Sequence, residues 1–168
     1  MKYGKLCVCL LMALITAVTA GGVERGEKTL GLRGGYNTRN ESGVAGVYFQ
    51  YAFSRHVRLA PNVDYVFRNK GTDAYSCNIN VHFPLYFGSS TRFDLYPLAG
   101  VNFISWNHRL NNSDGIDTSS RVSRLGLNAG AGAEYYCTPT LKLCVEAKCN
   151  FVEANTSGVF SIGIGYVF

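Results

Sequence analysis

The sequence predicts an all-β chain, an eight-stranded antiparallel up-and-down transmembrane β-barrel, and three observations carry that prediction. Apolar side chains alternate with polar or small ones in eight successive runs between Lys28 and Phe168; no charge falls on the apolar side of any run; and short connections alternate with longer ones. Strict alternation is the period of a strand whose two faces meet different surroundings. The composition agrees with it. The 168 residues include 19 Gly, 11 Tyr and 10 Phe with only 16% charged, too few charges for a disordered chain and too many glycines and aromatics for a helical one. After residue 20 no apolar run approaches the roughly 20 residues of a membrane-spanning helix, so strands must do any crossing.

The N-terminal segment reads as processing. Lys2 and Lys5 precede the apolar stretch Leu6 to Val18, and Val18 and Ala20 are the small residues of a cleavage site. Residues 1–20 are therefore read as a signal peptide, 21–27 as a short N-terminal segment and 28–168 as the barrel domain. Cys7 and Cys9 lie at the start of the apolar stretch, whereas a lipid-accepting cysteine would end it. Removing Lys2 and Lys5 takes the 16 basic side chains to 14 against 11 acidic ones, a net of +3 that does not point to nucleic acid. Export makes Cys77, Cys137, Cys144 and Cys149 disulfide candidates. Their spacing matches no metal motif, and Cys144 and Cys149 point to opposite faces of one strand, so they read first as small apolar side chains with their oxidation state open.

The runs follow in order. The first sets Leu30, Leu32, Gly34 and Tyr36 against Gly31, Arg33 and Gly35. The second sets Val47, Phe49, Tyr51 and Phe53 against Gly46, Tyr48, Gln50 and Ala52. The third places Leu59, Pro61, Val63, Tyr65 and Phe67 opposite Arg58, Ala60, Asn62, Asp64 and Arg68. In the fourth, Tyr75, Cys77, Ile79, Val81, Phe83 and Leu85 alternate with Ser76, Asn78, Asn80, His82 and Pro84. The fifth pairs Phe93, Leu95, Pro97, Ala99, Val101 and Phe103 with Asp94, Tyr96, Leu98, Gly100 and Asn102. The sixth has Leu125, Leu127, Ala129, Ala131, Ala133 and Tyr135 against Arg124, Gly126, Asn128, Gly130, Gly132 and Glu134. The seventh has Leu141, Leu143, Val145, Ala147, Cys149 and Phe151 against Lys142, Cys144, Glu146, Lys148 and Asn150. The eighth has Phe160, Ile162, Ile164, Tyr166 and Phe168 against Ser161, Gly163, Gly165 and Val167.

Short connections are expected at Ser54 to His56, Gly88 to Thr91 and Thr138 to Thr140, and longer ones at Asn37 to Ser42, Asn69 to Asp73, Asn107 to Val122 and Val152 to Ser157. Strands of this length with turns at one end and loops at the other describe a membrane barrel, whose closure leaves no sheet edge. A soluble carrier barrel shares the period with its apolar face inward. The polar set here carries six cations and four anions, and a cation on the lipid side costs roughly 2–4 kcal/mol near the bilayer midplane. In a membrane the charges therefore face inward. Glu134, Lys142 and Lys148 then share the lumen, Arg33 and Arg58 reach across it, and an interior ion-pair network of Arg33, Arg58, Asp64, Arg124, Glu134, Lys142, Glu146 and Lys148 is expected.

Several segments resemble a known family: Tyr96-Pro97-Leu98-Ala99-Gly100-Val101, the run Gly126 to Tyr135, Val145-Glu146-Ala147-Lys148, and a last strand ending on an aromatic at Phe168. Together, in that order, they resemble the small porin-like outer-membrane β-barrels of Gram-negative bacteria, the group of OmpA transmembrane domains, OmpX and the opacity proteins. The resemblance covers Lys28 to Phe168. It implies an outer-membrane location, surrounding outer-membrane lipid, and an assembly signal in Phe160, Ile162, Ile164, Tyr166 and Phe168 read by the barrel-assembly machinery. Such barrels are commonly cysteine-poor, and the four cysteines depart from that pattern.

Chemistry is sparse. His56, His82 and His108 fall in a turn, an interior and a loop, so no two are spaced as metal ligands, and no cofactor site is expected. Within the barrel His82 could meet Ser76 or Asp64, but no nucleophile motif accompanies them, and the chain is read as no enzyme. Asn112-Ser113-Asp114-Gly115-Ile116-Asp117 has calcium-ligand flavour without the spacing or terminal Glu of an EF-hand loop. Asn-x-Ser sequons start at Asn40, Asn111 and Asn155, all in the longer connections. Three function classes remain: a structural or surface-interaction barrel, expected as a monomer, meeting a host or surface ligand through loops 107–122 and 152–157; a narrow pore for ions or small solutes; and a soluble periplasmic ligand-binding barrel.

Overall fold

A computed structural model of the chain describes residues 25–86, 92–111, 117–153 and 156–168. The expected signal peptide, the turn at 88–91, the residues 112–116 and the sequon at Asn155 lie outside the described residues. Among the described residues there are nine strand segments: β1 Lys28–Asn37, β2 Ser42–Ser54, β3 Val57–Asn69, β4 Thr72–His82, β5 Leu85–Tyr86, β6 Phe93–Asn111, β7 Asp117–Thr138, β8 Leu141–Val152 and β9 Ser157–Val167. Every pairing is antiparallel. Sequential neighbours pair from β1 to β4 and from β6 to β9, β4 pairs with β6, and β1 pairs with β9, so eight strands close a ring. The segment β5 pairs with β6 alone and continues the position of β4.

The break between β4 and β5 falls at Pro84, which has no N–H to give to the ladder. The alternation predicted through Leu85 fails there: Leu85 is 2% exposed, where the fourth run placed it on the outer row. Apart from Pro97, which is buried on the expected outer row, and Arg68, which is exposed at the loop end of the expected inner row, the alternation matches the burial along the strands, with one row of side chains enclosed and the other exposed. Two connections differ from expectation. The strands β6 and β7 stay in register from Asn107 opposite Arg121 to Asn111 opposite Asp117, so most of the expected loop 107–122 is a ribbon projecting past the barrel. The link between β3 and β4 is a tight turn at Lys70 and Gly71, both at positive φ (50° and 80°), which Gly tolerates without strain.

Exposed aromatics gather in two belts. Residue 25, Phe168 and the turns at 55–56 and 139–140 share one end of the barrel, the terminal end, and near it lie Tyr51, Phe53, Phe83, Phe93, Tyr135, Tyr166 and Phe168. Toward the other end, the loop end, lie Tyr36, Tyr65, Phe67, Tyr75, Phe151 and Phe160. Tyr51 meets Phe53 edge to face at 4.9 Å, and Tyr65 meets Tyr75 at 4.9 Å. Between the belts the exposed row is aliphatic, including Leu32, Val47, Val63, Ile79, Val101, Val145 and Ile162. An aliphatic band flanked by aromatics is the surface a bilayer requires.

Leu32 is 63% exposed and stands mid-strand, opposite Val47 of β2 and Ile164 of β9. Leu32→Arg is expected to destabilise the barrel refolded in lipid vesicles by roughly 2–4 kcal/mol in a denaturant titration. A loss within about 0.5 kcal/mol, the range of an ordinary surface change, would place Leu32 outside the hydrocarbon band.

Candidate functional site

The enclosed side of the barrel is polar and layered. Nearest the terminal end, Glu134 of β7 is fully enclosed and accepts from Arg58 Nη1 at 2.7 Å and from Gln50 Nε2 at 2.8 Å, with Lys142 Nζ at 3.1 Å. Lys142 also faces Glu27 at 3.5 Å, and Tyr136 donates its hydroxyl to the same Glu27 oxygen at 2.9 Å. Glu27 lies before the first run, where alternation has not yet begun, so no sequence pattern marks it. Next along the axis, the His82 ring stacks on Tyr96 with centroids 4.3 Å apart, and the Arg58 guanidinium lies over the Tyr96 ring, 5.5 Å from its centre.

The second charged layer is built on Arg33. Its guanidinium engages both oxygens of Asp64, donates to Asn62 Oδ1 at 2.6 Å and to Glu146 Oε1 at 3.2 Å. Lys148 Nζ stands 3.9 Å from Asp64 and 3.8 Å from Glu146. Room for Arg33 comes from its register partners, Gly46 of β2 and Gly163 of β9. A Cβ on Gly46 would strike the Asp64 carboxylate, and one on Gly163 would come within 2.6 Å of Cys144 Sγ. Gly132 likewise yields its side-chain space to the Tyr96 ring.

Beyond the charges lies an amide layer. Asn78 Nδ2 donates to Asn62 Oδ1 at 2.8 Å, Asn102 Nδ2 to Asn78 Oδ1 at 2.6 Å, and Asn128 Nδ2 to Asn80 Oδ1 at 2.8 Å. Val44, Val66, Ala74, Ile104, Trp106 and Val152 form an apolar cluster above it. Val44, Val66, Ala74 and Trp106 are successive register partners, so one row of the ring carries most of that cap. The inward positions Gln50, Asn62, Asn78, Tyr96 and Asn102 share the parity of the predicted charges, and that parity was the signal available for them.

Seven of the eight residues expected in the interior network are enclosed there: Arg33, Arg58, Asp64, Glu134, Lys142, Glu146 and Lys148. Arg124 is the correction. It lies beyond the apolar cap, its side chain is 37% exposed, and it donates to the Glu153 backbone oxygen at 3.2 Å with the Glu153 carboxylate 3.9 Å away. The strand carries it above the level at which the lumen is closed. His82 meets neither Ser76 nor Asp64; its Nε2 is 3.8 Å from Glu146, and Ser76 Oγ accepts from Asn78 and Asn102. Among the described residues no cluster of His, Cys, Asp and Glu is arranged to hold a metal. The four cysteines among the described residues are free thiols, Cys77, Cys137 and Cys149 exposed, and Cys144 enclosed with its Sγ donating to Tyr48 Oη at 3.6 Å. Phe160, Ile162, Ile164, Tyr166 and Phe168 form the exposed row of β9 and its end, and the Phe168 backbone exchanges two hydrogen bonds with Lys28.

Glu134 is the one carboxylate shared by Arg58 and Lys142. Removing one member of a desolvated cluster strands the others, so Glu134→Gln is expected to cost about 3–5 kcal/mol in equilibrium unfolding. Glu153→Ala, at an exposed pair, is expected to change stability by less than about 1 kcal/mol. Equal midpoints for Glu134→Gln and the parent protein would show that the lumen is hydrated enough to screen the cluster.

The comparisons with known proteins fall on the same architecture. The barrel superposes on the N-terminal β-barrel domain of OprF from Pseudomonas aeruginosa with a TM-score of 0.69, at 18% identity, covering 86% of this chain and 98% of that one. It is similar to the neisserial surface protein NspA, with a TM-score of 0.65 at 18% identity over 84% of this chain and 96% of that one. It is similar also to Ail, the attachment invasion locus protein of Yersinia pestis, with a TM-score of 0.61 at 14% identity over 86% of this chain and 99% of that one. No curated protein matches the chain by sequence. The family model for the outer membrane protein beta-barrel domain matches residues 12–168, and the chain, a closed eight-stranded barrel with an aliphatic outer band and a charged lumen, belongs to that family.

Proposed function

We propose that this protein is a closed, non-catalytic barrel of the outer membrane that acts through its loop end as a surface-interaction protein. In this reading the terminal end faces the periplasm, and the β6–β7 ribbon and the neighbouring turns face outward. The observation that carries it is the filling of the lumen. Midway along the axis, between Arg33, Tyr48, Gln50, His82, Tyr96 and Glu146, the remaining void is about 10 Å³, barely the space of one water. An eight-stranded ring leaves an interior that side chains just fill. Arg33, Arg58, Lys142 and Lys148 with Asp64, Glu134 and Glu146, and the Asp94 carboxyl, occupy it here. A solute crossing the barrel would have to part the Arg33 and Glu134 clusters in turn. The projecting ribbon supports the surface role: it extends beyond the height at which β8 and β9 end, as a contact element would. Outer-membrane lipid would surround the aliphatic band, and the exposed row of β9 would serve the assembly machinery.

Purified protein in planar lipid bilayers is expected to give no resolved single-channel steps. In cells, Ser120→Cys in a background lacking the other cysteines is expected to react with a membrane-impermeant maleimide. Reproducible conductance steps would replace this reading with a pore, and absence of labelling on intact cells would reverse the orientation.

A further inference from the structure

At the loop end the packed lumen gives way to open space. Beyond the Trp106 layer the wall widens into a cup of about 410 Å³, bordered by Arg39, Lys70, Thr72, Trp106, His108 and Arg124. Three of these are cations. The carboxylate among the lining residues, Glu41, is already engaged by Lys70 Nζ at 2.7 Å. That hydrogen bond holds the Glu41 carboxyl below its ordinary pKa and the Lys70 ammonium above its own, so both stay charged at neutral pH. Arg39 forms no ion pair among the described residues, and the carboxylate nearest Arg124, Glu153, is 3.9 Å away and almost wholly exposed.

The rim is held in shape without a ligand. Asn37 Oδ1 accepts from the backbone N–H groups of Arg39 and Asn40, and Asn40 Nδ2 reaches across to Phe67 O at 2.9 Å and Thr72 O at 3.1 Å. Asn69 Nδ2 returns a bond to Asn40 O at 2.8 Å, so the two turns are tied together. Thr72 Oγ1 and His108 Nδ1 are 2.9 Å apart, which fixes the imidazole at the cup wall. The second observation is Trp106. It is 5% exposed and lines the cup, and its enclosed Nε1–H has no acceptor among the described residues.

We propose that the cup binds a sugar carrying phosphate or sulfate esters. The assignment rests on reading the loop end as the interacting surface. Guanidinium groups match tetrahedral oxyanions in geometry as well as charge, and Arg39 and Arg124 supply two of them. A cup of about 410 Å³ exceeds a single oxyanion and falls within the range of small-molecule sites. The Trp106 and Val122 side chains offer an apolar wall to a sugar ring. The tied rim lowers the ordering cost of binding.

The test uses the protein refolded in detergent micelles and titrated with a sulfated disaccharide, a phosphorylated disaccharide and their uncharged parent. Trp106 is the sole tryptophan, so its emission reports the cup directly, with calorimetry alongside. Saturable binding of a charged sugar is expected, weakened by salt and weakened tenfold or more in Arg39→Gln/Arg124→Gln that retains the barrel's circular dichroism. Trp106→Phe, read by calorimetry, is expected to weaken it several-fold. Binding of the phosphorylated sugar alone would point to glycolipid headgroups of the membrane, and of the sulfated sugar alone to glycans outside it; either supports the proposal. No saturation by either charged sugar, equal affinity for the uncharged parent, or an unchanged Kd in the double variant would overturn it. Channel activity in bilayers would overturn the closed-barrel reading and leave this one standing.

Discussion

A bilayer offers no water to a backbone N–H or C=O, so every strand that crosses it must find partners on both sides within the chain. The pairing of β1 with β9, nine register pairs from Thr29 opposite Val167 to Asn37 opposite Val159, meets that demand by closing the ring. The rest of the structure depends on this closure. Eight strands set a fixed and narrow interior, the side-chain period of two sends half of each strand into it, and hydrocarbon on the other side excludes charge from the remaining half.

The interior is where the closure becomes demanding. Large charged side chains enter a space with little solvent, and a charge there is tolerable only with its partner and its hydrogen bonds in place. Arg33 reaches Asp64, Glu146 and Asn62, and Glu134 receives Arg58, Lys142 and Gln50. Glycines opposite Arg33 and Tyr96 make that density possible. The arrangement concentrates stability in the middle of the barrel and leaves the two mouths free to differ. At the terminal end Glu27 and Tyr136 close over Lys142; at the loop end the apolar cap around Trp106 ends the packed region and the wall opens.

This division explains why the features with functional consequences gather at one end. The crossing strands are constrained by lipid outside and by packing inside, whereas the Lys70–Gly71 turn, the Asn40–Asn69 exchange and the β6–β7 ribbon answer to neither. Arg124 illustrates the boundary. It shares the inward parity of Glu134 on the same strand, yet it emerges above the cap and meets Glu153 in place of the lumen carboxylates.

Alternation by itself determined the class of the fold, the number of crossings and the side on which each charge sits, because two immiscible surroundings impose a period that a single chain records residue by residue. Parity placed Arg33, Arg58, Asp64, Glu134, Lys142, Glu146 and Lys148 in one enclosure. It did not say which cation meets which anion. That depends on the stagger between strands, which brings Arg58 of β3 to Glu134 of β7, 76 residues away, and stacks His82 on Tyr96. The break at Pro84 and the ribbon of residues 107–111 and 117–122 were also hidden, since a missing N–H takes effect only against a partner strand and a polar ribbon beyond the aliphatic band has no second environment to enforce alternation. Tertiary structure alone decided the height at which the lumen closes, and with it the cup, because a void is a property of how rows from different strands meet and no single row carries it.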